Sequence, residues 1–136
     1  MLKLRIITPN KIVDEKEVDS VTLPTVDGEI TVLPHHASLF TQLGEGILKI
    51  RIKEAEDYLA IGGGYAETNG QDINILVSRA YRQDEIDEKM TETAVAEAKK
   101  ILQESKDAGQ RKQANAILRR SLIDSRLVKR RKSRPA

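Results

Sequence analysis

The sequence predicts an all-β domain of short strands followed by an antiparallel hairpin of two helices. Three observations lead there. Apolar residues recur with period two from Leu2 to about Arg82, and dense turn signals separate the runs. At Gln83 the period lengthens to that of a helix, and Ala, Glu and Lys supply the propensity. A break over Ser105–Gln110 then divides the helical part in two.

The β part reads in order. "LKLRII" from Leu2 alternates apolar and charged side chains, as a half-buried strand does. "EVDSVTLP" from Glu17 repeats the alternation, and "GEITVL", "GILKIRI", "DYLAI", "GYAET" and "DINILV" follow. Val, Ile and Thr fill these runs because β-branched side chains suit a pleated surface. Val26-Asp27-Gly28-Glu29 predicts a tight turn with Gly28 at positive φ, and Asn69-Gly70 predicts a second. Seven or more such strands make a sandwich or barrel. No crossover helix fits between them, which disfavours parallel α/β pairing. Ile7, Val21, Leu33, Ile50, Leu59, Ile75 and Val77 are expected nearer the core than the surface.

In the helical part, Ile86, Met90, Ala94, Ala98, Ile101 and Leu102 form one apolar stripe. Asp84 is the expected N-cap, with Asp87 three residues on. Gly109 is the expected left-handed residue of a turn about six residues long. Ala114, Ile117, Leu118, Ser121, Leu122, Ser125 and Val128 form the second stripe, and the small residues of both allow close helix approach. A stripe this thin buries little, so the hairpin is expected to be the less stable half and detachable. The predicted division is 1–84 for the sandwich, 85–132 for the hairpin and 133–136 for a frayed tail.

Composition narrows the chemistry. The chain has no cysteine, which excludes disulfides and thiolate chemistry. No apolar run approaches the roughly 20 residues of a membrane span, and "MLKLRIITPN" is no secretory signal, so a soluble protein that stays where it is made is expected. The four aromatic residues, Phe40, Tyr58, Tyr65 and Tyr81, offer few stacking platforms for single-stranded nucleic acid. The formal charge of +2 conceals opposite fields: residues 1–110 carry 13 basic and 20 acidic side chains, residues 111–136 carry 10 basic and one acidic.

Three motifs carry candidate chemistry. His35 and His36 follow Pro34 in "TVLPHHASLFTQL", but adjacent side chains on extended backbone point to opposite faces and no third histidine exists. A structural turn or a protein contact is the better reading than a metal site. "GGGYAE" from Gly62 lacks the Gly-Lys-Ser/Thr of a phosphate loop and precedes a strand, so close sheet packing is expected. "RLVKRRKSRP" from Arg126 leaves three readings open: a solvated helix end, docking on an acidic protein, or nucleic-acid binding. No catalytic constellation stands out.

The same segments resemble a known family. "GEITVLPHHASLFTQLGEGILKI", from Gly28 to Ile50, is similar to the signature of the epsilon subunits of F-type ATP synthases: an acidic turn, a strand, then Leu-Pro-x-His-Ala-x-Leu. "AIGGGYAETNGQDINILVSRAYRQDEID", from Ala60 to Asp87, resembles the second signature, a Gly-Gly-x-x-Glu hairpin leading through a strand into the helices. The resemblance covers essentially the whole chain. It implies a ten-stranded sandwich plus two helices in a non-catalytic subunit of the central stalk, bacterial in type and peripheral at the cytoplasmic face of the cell membrane. The implied partners are the gamma subunit and the ring of c subunits. In an extended inhibitory state the hairpin meets beta and alpha. The implied work is coupling proton or sodium-ion passage to ATP synthesis and restraining ATP hydrolysis.

Residue by residue, Glu29 and His36 match family positions that contact the c ring, and His35 stands where glycine or a small polar residue is common. Arg119, Arg120, Arg126, Lys129, Arg130 and Arg131 match the basic second helix, which faces an acidic segment of beta. The resemblance thus favours an acidic protein partner over nucleic acid. The alternative is a basic-tailed nucleic-acid or ribonucleoprotein accessory module. Some bacterial relatives hold ATP through Ile/Leu-Asp-x-x-Arg-Ala. Here Met90 and Thr91 replace the Arg and Ala, removing the guanidinium fork that suits phosphate, so no cofactor is expected.

Overall fold

The computed structural model describes residues 1–133, with side chains through Arg130. Ten strands come first: β1 (Leu2–Ile7), β2 (Ile12–Val18), β3 (Ser20–Thr25), β4 (Gly28–Val32), β5 (Leu39–Leu43), β6 (Gly46–Ile52), β7 (Ala55–Ile61), β8 (Gly64–Thr68), β9 (Asp72–Val77) and β10 (Ala80–Tyr81). A 3-10 turn at Gln83–Glu85 leads to α1 (Glu88–Glu104) and α2 (Ala108–Ser133). The chain divides into two units, Met1–Arg82 and Gln83–Ala136.

Hydrogen bonding runs β10-β7-β6-β3-β5-β8-β9-β1-β2, with β4 paired to β3. The passage from β3 to β5 rests on one register pair, Thr25↔Leu43, which is where the two layers of the sandwich part. Alternation builds the core between them. Leu2, Leu4 and Ile6 of β1 are fully buried, and Val21, Leu48, Ile50, Leu59, Ile73 and Ile75 join them. This core is aliphatic. Of the four aromatic residues only Tyr58 is buried.

The all-β expectation holds: β1 and β9 pair in parallel, Ile6 opposite Ile75, but through a long excursion of strands and not through an α/β crossover. Several other expectations need correcting. "EVDSVTLP" is two strands, broken at Asp19, whose carboxylate accepts from the Lys53 backbone N–H. Leu39–Leu43 is a strand that its turn-rich surroundings obscured. Leu33 is 55 % exposed because it follows buried Val32 and so faces the other way, and Ile7 is only half-buried beyond a bulge at Ile6/Ile7. Gly28 and Gly70 do take positive φ, 121° and 90°. At Gly64, in β8, a Cβ would strike the Leu76 carbonyl oxygen on β9, so the glycine run serves close sheet packing.

α1 starts later than expected, α2 starts earlier, and the turn between them is tighter. Asp84 lies in the 3-10 turn. The cap is Asp87, whose Oδ1 accepts from Met90 N–H at 3.0 Å while its carbonyl accepts from Thr91 N–H at 3.0 Å. Gly109 sits inside the first turn of α2, which Asp107 caps by accepting from Gln110 N–H at 2.9 Å. Only Ser105–Asp107 connect the helices, and Arg111 reaches back to donate to the Leu102 and Ser105 carbonyls. Ala98, Ala114 and Ser121 are buried as expected, yet Met90, Ile101, Ile117 and Leu122 are exposed. Ile123 and Leu127, outside the predicted stripe, are buried. Ile123 lies roughly 200° around the helix from Ser121, so α2 is covered on more than one face. Among the described residues no helix is long and apolar enough to cross a membrane.

Candidate partner-docking surface

The histidine stretch is a turn locked onto a neighbouring turn. His36 N–H donates to the Leu33 carbonyl at 3.1 Å, with Pro34 and His35 between them, and His35 has φ 68°. Proline second and positive φ third is the pattern of a type II turn, whose third position suits glycine. His35 N–H donates to the Gly70 carbonyl at 2.8 Å. Gly70 lies so close that a Cβ there would stand 2.8 Å from the His36 carbonyl oxygen. The Gly70 turn is itself held by Asn69 Oδ1, which accepts from Gln71 N–H at 2.9 Å and Asp72 N–H at 2.8 Å.

His36 is half-buried, and its Nδ1–H donates to the Ala37 carbonyl at 2.7 Å. A carbonyl can only accept, so in the neutral ring Nε2 is left as an acceptor. Glu29, exposed at the start of β4, lies opposite Pro24 beside the Thr25–Gly28 turn. The structure does not join Glu29 to His36. They flank the two ends of β4, and Glu29 to Val32 alone spans about 10 Å. They are two separate points on the sandwich. Among the described residues no group of three or more His, Asp or Glu could hold a metal ion.

Sequence reasoning missed an aromatic stripe. Phe40 on β5 is 68 % exposed and Tyr65 on β8 is 49 % exposed, and their rings stack at 5.4 Å with 21° between planes. Leu76 on β9, the register partner of Tyr65, is 47 % exposed. Beside Phe40 an open groove of about 710 Å³ is lined by Lys3, Arg5, Ser38, Glu67, Asp72 and Asn74. Large apolar side chains gathered on one outer face, with charges around them, make this face the candidate docking surface.

On the helical unit Arg119, Arg120, Arg126, Lys129 and Arg130 are all exposed, while the Arg131 side chain and the tail beyond Ser133 lie outside the described residues. Arg119, Arg126 and Arg130 fall within roughly 40° of one another around the helix. At the open end of the hairpin a cleft of about 160 Å³ lies between Glu88, Thr91 and Glu92 of α1 and Asp124, Ser125 and Lys129 of α2. Met90 is 71 % exposed. Carboxylates on both walls give this cleft a field unsuited to a polyphosphate.

A second polar cluster sits on the sandwich. Arg82 Nη2 donates to Asp14 at 2.7 Å and to Asp57 at 3.0 Å, and Lys16 Nζ lies 3.0 Å from Asp14 and 3.4 Å from Asp57. Burial opposes ionisation of Asp14, but the hydrogen bonds and charges of Lys16 and Arg82 outweigh it and hold its carboxyl below the ordinary carboxylate value. Burial likewise opposes the Arg82 charge, and its bonds to Asp57 and Asp14 prevail, raising its pKa.

Comparison with known proteins adds an independent line. Residues 1–83 match the family described as "ATP synthase, Delta/Epsilon chain, beta-sandwich domain". The chloroplastic ATP synthase epsilon chain of Marchantia polymorpha is 36 % identical over 118 residues, covering 87 % of each chain. The ATP synthase epsilon chain of Carboxydothermus hydrogenoformans is 37 % identical over 101 residues, covering 74 % of this chain and 75 % of that one. Among solved structures, a chain in the OSCP/F1/c-ring part of the Euglena gracilis mitochondrial ATP synthase superposes with a TM-score of 0.78 at 28 % identity, covering 86 % of this chain and 74 % of that one.

Proposed function

This chain belongs to the ATP synthase delta/epsilon family as an epsilon-type, non-catalytic stalk subunit, and from that premise we propose that it couples rotation of an ion-driven rotor to ATP synthesis. The sandwich binds the gamma subunit and meets the c ring through Glu29 and His36. The observation that carries this reading is the exposed Phe40–Tyr65 stack with Leu76 beside it. In a domain so poor in aromatics, leaving two of them outside makes physical sense when a partner covers them.

The His36 turn suits a load-bearing contact. It is cross-bonded to the Gly70 turn through His35 N–H and the Gly70 carbonyl, so docking there orders little that is not already ordered. The hairpin is the regulatory half. Extended along gamma, it presents the Arg119, Arg126 and Arg130 face to an acidic segment of beta and restrains ATP hydrolysis. The acidic cleft at Glu88, Glu92 and Asp124 makes nucleotide a poor ligand, so the hairpin answers to protein contacts rather than ATP. The subunit works peripherally, at the cytoplasmic face of a bacterial membrane, without entering it.

Truncation tests the assignment. Removing residues 88–136 leaves a sandwich that still co-purifies with gamma, while ATP hydrolysis by the assembled enzyme rises. Unchanged hydrolysis contradicts the inhibitory role, and loss of gamma from a folded sandwich contradicts the docking role.

A further inference from the structure

The strand path begins at β10 and ends at β2, and no backbone ladder joins those two ends. Side chains do. Arg82, the residue after β10, bonds Asp14 of β2 at 2.7 Å and Asp57 of β7 at 3.0 Å through Nη2, and Asp57 again through Nε at 3.2 Å. Lys16 of β2 closes the ring, 3.0 Å from Asp14 and 3.4 Å from Asp57. Two cations and two carboxylates alternate, so the ring is neutral, and its side chains range from 16 % to 35 % exposed. A partly buried network of this kind holds its geometry better than an isolated surface pair.

Its position is the informative part. β10 has only two register pairs, Ala80↔Ile61 and Tyr81↔Ala60, and both of its residues are only half-buried. So short a terminal strand frays unless something beyond it is tied down. Arg82 is that tie, and it is also the last residue of the first unit. The next cap belongs to the helices, at Asp87. Between the two anchors lie Gln83–Ile86, which include the 3-10 turn Gln83–Glu85.

We propose that Asp14, Lys16, Asp57 and Arg82 form an ionic clasp that stops the sandwich from unzipping at β10 and so confines the hinge of the hairpin to residues 83–86. The hinge role rests on the reading of a mobile hairpin; the clasp role does not. With the clasp closed, the hairpin can leave or return while the sandwich edge keeps its shape against a partner.

Hydrogen–deuterium exchange on the full chain separates the two roles. In Arg82→Gln, amides 79–82 exchange at least tenfold faster than in the parent while those of β1 are unchanged. Equal protection at 79–82 in a folded Arg82→Gln protein overturns the clasp. Asp57→Asn keeps the Arg82–Asp14 bond and serves if the first variant does not fold. It accelerates the same amides severalfold, and no acceleration overturns the proposal. In the parent, amides of α1 and α2 exchange faster than those of β1. Helix amides as slow as β1 overturn the mobile hairpin and the hinge with it, whatever amides 79–82 do.

Discussion

His35 holds a backbone conformation that its side chain disfavours. Positive φ at a residue with a Cβ costs about 1 kcal/mol, and here φ is 68°. His35→Gly should therefore raise stability by about 0.5–1 kcal/mol, part of the gain being offset by the freer unfolded glycine. Chemical denaturation checks this, and a destabilised variant shows that the imidazole contributes more than the turn costs. Asp14 has a pH signature. Because its folded carboxyl ionises below the ordinary value, its contribution is complete above about pH 4, the unfolded value, and disappears as pH falls through the folded value. The stability gap between the parent and Asp14→Asn should be open at neutral pH and close in acid. Turn glycines were legible as Asp27-Gly28 and Asn69-Gly70, since those pairs report positive φ directly. His35 was not, although Pro34 before it is half of a type II signal. Phe40 and Tyr65 were not legible either. Strand alternation shows that two faces differ, but a phenylalanine reads as core until the structure shows Leu43 inside and Phe40 outside.

At the scale of elements, clean alternation was the readable signal. β1, β6 and β9 were plain because Leu, Ile and Val fall on every second residue. β5 was obscured by its turn-rich surroundings, and the β2–β3 break by an alternation that runs through Asp19 without a glycine. In the hairpin the period located both helices but not their ends, because Asp84, Asp87 and Asp107 are all plausible caps and only side-chain geometry chooses among them. The buried Ile123 and Leu127 escaped a stripe drawn for one face. α2 carries the element-level prediction. Reversing Arg119 and Arg126 to glutamate should relieve inhibition of ATP hydrolysis in the assembled enzyme, with the largest effect at low salt, since exposed charges are screened as salt rises. An effect indifferent to salt argues against docking on an acidic surface.

Across the whole molecule two packing regimes coincide with two units, whereas the change of charge falls inside the second unit, near the start of α2. The acidic first 110 residues contain a well-filled aliphatic sandwich, and the basic remainder lies on a helix with few buried side chains. On the proposed function, the first unit supplies the rigid body and the second the regulatory movement. What composition and pattern left open was the face of the sandwich committed to a partner. The proposed function assigns that role to the face bearing the stacked rings on β5 and β8. The most direct measurement is calorimetric titration of purified gamma with the parent and with the double variant Phe40→Ser, Tyr65→Ser. Both proteins should unfold at similar temperatures, and the variant should bind gamma at least tenfold more weakly. Undiminished affinity in a folded variant contradicts the docking assignment.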